Sequence, residues 1–113
     1  FFGEDSEERP VSAELLEWAR GIALQASLKA TIECMRSFSS TDFRGDLPAF
    51  TVPTLIIHGT ADKTVPIAAS SRIAAQGIAQ STLIEYDSAP HGLFATDKER
   101  LTSDLLAFLA RKA

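Results

Sequence analysis

The sequence predicts an α/β architecture in which two parallel strands are joined by a helical crossover and flanked by a C-terminal helix and N-terminal helices. Three observations carry that expectation. Residues 54–58 (Thr-Leu-Ile-Ile-His) form an apolar, β-branched run without alternation, the pattern of a parallel strand buried on both faces. Residues 81–86 (Ser-Thr-Leu-Ile-Glu-Tyr) read as a second strand. Between them Ile67, Ala74 and Ile78 supply an apolar stripe at helical spacing. Strands linked by a helical crossover are almost always parallel, with a right-handed connection.

Each element has local reasons. Residues 1–11 begin with Glu4, Asp5, Glu7 and Glu8 and close on Pro10, which reads as a solvated loop. Ser12 suits a helix N-cap, with Glu14 in the first turn where the helix dipole favours an acid. Leu15, Ala19, Ile22 and Ala26 then recur at helical spacing, widened by Trp18 and Ala23, and Leu28, Ile32, Met35 and Phe38 form a second stripe. Residues 12–39 therefore read as two consecutive helices or one bent helix, with Gly21 marking a kink or a close contact. Residues 39–48 form a polar connector. Pro66 fits the first turn of the crossover helix, and Gly77 lies near its end. Asp97 is placed to cap the last helix, whose buried face would be Leu101, Leu105, Phe108 and Leu109, while Arg111 and Lys112 suit the negative end of its dipole.

Two parallel strands do not make a self-sufficient sheet. Strand 54–58 is expected to expose its hydrogen-bonding edge unless something pairs with it. The expected partner is either a missing N-terminal part of the fold or another copy of the chain, associating through strand 54–58. The start Phe1-Phe2-Gly3, without an initiator Met, is what a fragment or a processed product would show.

Bulk properties narrow the function classes. At 113 residues and 12.2 kDa the chain is one domain at most, and with 45% hydrophobic and 23% charged residues it has the composition of a globular protein. Its net charge is −4 and no Lys/Arg stripe exists, so the electrostatic footprint of a nucleic-acid or anionic-membrane binder is missing. No apolar run approaches the ~18 residues needed to span a bilayer. One cysteine, Cys34, allows no internal disulfide, and its setting between apolar helical positions suits an inert thiol. The acidic start lacks the basic flank of a signal peptide, and a cytoplasmic location is the expectation.

The chemistry concentrates after the two strands. Residues 58–66 read His-Gly-Thr-Ala-Asp-Lys-Thr-Val-Pro, and residues 87–94 read Asp-Ser-Ala-Pro-His-Gly-Leu-Phe. In open α/β sheets chemistry gathers at the carboxyl ends of the strands, so Asp62 and His91 are expected on one rim. There an aspartate can accept a hydrogen bond from the imidazole Nδ1–H, fix the tautomer, and stabilise the imidazolium once the ring has taken a nucleophile's proton. Either residue alone is ordinary, since aspartates commonly occupy turns before helices. His58 is expected to be structural, closing the strand with Gly59. Ser70, Ser71 and Ser81 lack the context of a nucleophile. With two histidines and no H-x-x-x-H or C-x-x-C spacing, no metal site is expected.

The two loops together resemble the C-terminal part of an α/β-hydrolase, within the group of bacterial aryl esterases and cofactor-free haloperoxidases, also called perhydrolases. Residues 28–31 (Leu-Lys-Ala-Thr), 41–44 (Thr-Asp-Phe-Arg) and 104–109 (Asp-Leu-Leu-Ala-Phe-Leu) resemble the same group. The resemblance runs from about Gly21 to the C-terminus. It implies that residues 1–45 are a helical cap segment and connector, and that residues 46–113 are the last β-α-β-α part of the hydrolase core. It also implies that Asp62 is the triad acid and His91 the base. Phe38, Val65, Ile67 and, less closely, Leu93 match positions that line the acyl pocket. The implied reaction is serine acyl transfer on a small carboxylic ester or carboxylic acid. An acyl-enzyme is resolved by water, or by hydrogen peroxide to give a peracid, with no cofactor and no metal.

The sequence departs from the group in one large respect. Its six glycines frame no serine in a G-x-S-x-G elbow, and no oxyanion-hole segment is present. Transition-state charge stabilisation is usually the largest catalytic contribution, so the isolated chain is expected to be inactive or nearly so. The alternatives are a non-catalytic, self-associating fragment protein, and a dehalogenase or C–C bond hydrolase of the same fold.

Overall fold

Two strands form where the β-branched runs lie: β1 (Thr54–Gly59) and β2 (Ser81–Tyr86). They pair in parallel, in register from Thr54 opposite Ser81 to Gly59 opposite Tyr86. Around them this computed structural model has the order α1 (Ala13–Ala23), α2 (Leu28–Ser40), a 3-10 turn (Arg44–Ala49), β1, a second 3-10 turn (Ile67–Ala69), α3 (Ser71–Gly77), β2, α4 (Leu93–Thr96) and α5 (Lys98–Leu109). The structure describes residues 1–3 and 9–111. The acidic residues Glu4, Asp5, Glu7 and Glu8, read above as a loop, and Lys112 lie outside the described residues. The α/β architecture with two parallel strands is the one the sequence predicts.

The chain divides into two compact units, Val11–Phe43 and the remainder. In the first, of the two readings of residues 12–39, two helices form. Ser12 caps α1 by accepting a hydrogen bond from Leu15 N–H (3.2 Å), and Ser27 restarts the chain as α2 by accepting one from Ala30 N–H (3.1 Å). The helices are separated by these caps rather than by Gly21, which lies inside α1 with open space around it.

In the second unit three local expectations meet stronger competitors. The crossover is not one helix from Pro66. The 3-10 turn ends at Ser70 (φ −139°, ψ −91°), whose non-helical backbone separates it from α3. Asp97 precedes α5 but makes no capping hydrogen bond. Its carboxylate instead takes both oxygens to Arg9 Nε (3.0 and 3.1 Å), because a charge-assisted pair is stronger than a cap to a neutral N–H. The stripe expected to be buried on α5 is largely open, with Leu105 43% and Leu109 75% exposed. Among the described residues each strand pairs only with the other, so no third strand widens the sheet over which α5 could lie.

The core lies beside β2. Tyr86, Ala89 and Leu93 are buried, and Ile57, Ile84 and Leu101 pack against them. The Tyr86 hydroxyl donates to Asp104 on α5, and the Arg100 guanidinium lies 3.8 Å from the Tyr86 ring centroid. Helix α5 is thereby tied to the strand that delivers the histidine loop.

Candidate active site

The segments after β1 and β2 are knitted together by their own backbones. Thr60 N–H donates to Tyr86 C=O (2.9 Å), Ala61 N–H to Ala89 C=O (3.0 Å), and Ser88 N–H to Thr60 Oγ1 (2.8 Å). Gly59 makes this approach feasible: a Cβ there would stand 2.1 Å from the Ala89 carbonyl oxygen. Ser88 turns the second loop with a left-handed backbone (φ 55°). The register that sets Gly59 opposite Tyr86 therefore brings Asp62 and His91 to the same end of the sheet.

Asp62 is buried, 7% exposed, and its carboxylate is fully engaged. Oδ1 accepts from Thr64 N–H (2.9 Å) and Val65 N–H (2.8 Å), an Asx-type turn that the Asp-Lys-Thr-Val order encodes locally. Oδ2 lies 2.7 Å from His91 Nδ1. A carboxylate only accepts, so Nδ1 carries the proton and Nε2 is the basic nitrogen of His91. Burial pushes the Asp62 carboxyl up, but hydrogen bonds from Val65, His91 and Thr64 outweigh it, and its pKa falls below the ordinary carboxylate value. The group is thus an anion at neutral pH, held in one plane, with His91 on one oxygen.

The His91 side chain is about one-third exposed. The N-terminal segment lies against it. The Phe1 ring stands 4.8 Å from the imidazole, edge to face, and packs with Phe2 (4.7 Å) and Phe94 (6.3 Å). Gly92 N–H donates to Phe1 C=O (2.9 Å), and a Cβ on Gly92 would strike the Phe2 ring. Arg9 anchors the same segment, donating to Asp87 C=O (2.8 Å), Ser88 C=O (3.2 Å) and Asp97.

Of the residues named from sequence, the structure brings Asp62, His91 and Val65 together. Val65 contributes its backbone N–H to Asp62. Ile67 is buried, and Leu93 is buried in the core with Tyr86 and Ala89. Phe38 lies on α2 in the other unit and is 67% exposed. Sequence reading missed Phe1 and Arg9, whose partners lie more than seventy positions away with no local signal. It also gave His58 only the role of closing the strand. The His58 Nε2 lies 3.0 Å from Asp62 Oδ2, and the i,i+4 spacing of the two residues was the available signal. Among the described residues no cluster of three or more His, Cys, Asp or Glu side chains is placed to hold a metal ion, and no helix is long and apolar enough to cross a membrane.

No protein-family model matches the chain. Individual relatives do. A non-haem chloroperoxidase of Streptomyces lividans is 40% identical over 111 residues, which is 96% of this chain and 40% of the relative. A bifunctional esterase/perhydrolase of Acinetobacter calcoaceticus is 37% identical over 92 residues, 81% of this chain and 33% of that protein. Among solved structures, a bromoperoxidase from Bacillus anthracis superposes with a TM-score of 0.88 at 40% identity, over 96% of this chain and 40% of that one. The chain thus spans between a third and two-fifths of the length of these relatives. Matched along nearly its whole length in sequence and in fold, the chain belongs to the non-haem haloperoxidase and esterase group of the α/β-hydrolases.

Proposed function

We propose that Asp62 and His91 are the acid and base of a Ser-His-Asp triad whose serine lies outside these residues, in a C-terminal portion of an enzyme that cleaves small carboxylic esters. The observation that carries this reading is the 2.7 Å contact between Asp62 Oδ2 and His91 Nδ1, with Oδ1 already held by two backbone N–H groups. That arrangement presents His91 Nε2 as a base and keeps a fixed anion behind it. In the proposed reaction Nε2 takes the serine proton as the serine oxygen attacks the ester carbonyl. The imidazolium then returns the proton to the leaving alcohol, which departs and leaves the acyl-enzyme. Water attacks the acyl carbon next, losing its proton to Nε2; the bond to the serine oxygen breaks, the imidazolium returns the proton to that oxygen, and the carboxylic acid is freed. Hydrogen peroxide in place of water releases a peracid, which fits the esterase/perhydrolase named among the relatives. Neither step asks for a metal or an organic cofactor from this chain's residues.

The purified chain, mixed with a candidate N-terminal half, tests the reading against p-nitrophenyl acetate and a fluorophosphonate probe. Turnover and labelling in the mixture, lost with H91A, are expected. Labelling of the isolated chain would contradict a nucleophile outside it.

A second reading has its own observation. Among the described residues the outer strand edges are unpaired, and with the exposed Leu105, Leu106 and Leu109 they favour self-association of a non-catalytic chain through strand 54–58 and its neighbours. In that case the triad pair would be a remnant.

A further inference from the structure

We propose that His58, held on opposite sides of its ring by Val65 C=O and Ser71 Oγ, is a positioning residue for Asp62, and through it for His91. The inference rests on the triad reading and extends it to a second histidine. His58 Nε2 faces two oxygens, Val65 C=O at 2.9 Å and Asp62 Oδ2 at 3.0 Å. Both only accept, so Nε2 carries the proton, with Val65 as its hydrogen-bond acceptor and the carboxylate beside it. On the opposite side of the ring Nδ1 lies 2.6 Å from Ser71 Oγ, which can supply the proton that Nδ1 lacks. The reverse tautomer would set a lone pair against two oxygens. The two oxygens therefore select the tautomer that turns the positive edge of the ring toward Asp62, and the Ser71 hydroxyl, able to donate or accept, meets it as a donor.

The consequence is a closed ring of contacts. Val65 N–H donates to Asp62 Oδ1, Val65 C=O accepts from His58, and the same His58 N–H edge lies against Oδ2. The Asp62 carboxylate has about four acceptor sites. Thr64, Val65, His91 and His58 approach them, which leaves the plane no freedom to rotate. The positive edge at Oδ2 also draws charge from the oxygen that His91 uses. Glu85 faces His58 in the strand register but is held by Arg72 through two hydrogen bonds (2.7 and 2.8 Å), so Asp62 is the carboxylate that His58 contacts. The His58 side chain is 12% exposed, consistent with a group that acts on its neighbours rather than on a ligand.

The test is NMR of the histidine rings in the full chain, with 15N shifts reporting tautomers and the His91 Nδ1 proton reporting its hydrogen bond to Asp62. It compares the parent with D62N, H58L, H58Q and S71A. D62N is expected to abolish the downfield His91 Nδ1 proton signal. A signal unchanged in D62N would overturn the Asp62–His91 pair itself, whatever His58 does. With that pair intact, H58L is expected to broaden the signal and move it upfield, because Asp62 loses a contact that fixes its plane. H58Q, whose amide still offers a donor toward Val65 and Asp62, is expected to stay near the parent. S71A, which frees the far side of the His58 ring, is expected to move the signal in the same sense as H58L. A His91 Nδ1 proton unmoved in H58L overturns the positioning role. If H58L does not fold, S71A decides alone: an unmoved His91 Nδ1 proton overturns the proposal.

Discussion

At the scale of residues, the site depends on a small number of groups with no freedom to be something else. Asp62 has its folded pKa depressed by the Val65, His91 and Thr64 hydrogen bonds against the opposing effect of burial. The sign follows directly. The folded state binds this proton less tightly than the unfolded chain, so the stabilisation is present above the unfolded value of 3.8 and is lost as pH falls through the lower folded value. Urea midpoints measured from pH 5 to pH 2 should therefore fall more steeply for the parent than for D62N. Gly59 is constrained by space rather than by charge. G59A would force a Cβ into the Ala89 carbonyl and is expected to cost about 3 kcal/mol, because backbone on both sides must move. A thermal melt of G59A within a degree of the parent would show that the two loops can separate without penalty.

At the scale of elements, the histidine loop is held by segments distant in sequence. Arg9 and Asp97 are both mostly buried, with side chains 16% and 11% exposed, and Arg9 also closes on two carbonyls of the loop before His91. R9A should cost about 2 kcal/mol, since it leaves Asp97 and those carbonyls short of a charged donor. It should also broaden the His91 resonances, a readout that general destabilisation of α5 would not produce. Strand β2 and helix α5 are joined by Tyr86, whose pKa is raised to about 12 by burial and by its hydrogen bond to the Asp104 carboxylate. The folded state holds this proton more tightly than the unfolded chain. The stabilisation is full below the unfolded value of 10.0 and is lost as pH rises toward about 12. Denaturation midpoints should drop across that window in the parent and stay flatter in Y86F.

At the scale of the whole molecule, apolar surface outruns what the chain covers. Leu106 and Leu109 on α5, and Phe50 and Val52 before β1, are all more than two-fifths exposed. Exposed apolar side chains of this size favour association. Sedimentation of the isolated chain should show a mass that rises with concentration. A concentration-independent monomer with a cooperative melt would count against both association through strand 54–58 and dependence on further sheet.

Much of this was legible in the order of residues, for identifiable reasons. The strands announce themselves through β-branched runs, Ser12 through its cap, and the Asp62 turn through contacts only two and three residues long. Asp62 and His91 were nameable because each sits in a short motif just past its strand. What tertiary structure alone decided involves contacts that chain order does not encode. These are the claim of Arg9 on Asp97 in place of a helix cap, the lodging of Leu93 in the core, and the seat of Phe1 against His91. A local motif fixes which groups are close along the backbone. Which distant group wins a carboxylate or a ring face depends on the register of two strands and on the competition for burial, and those are properties of the folded chain.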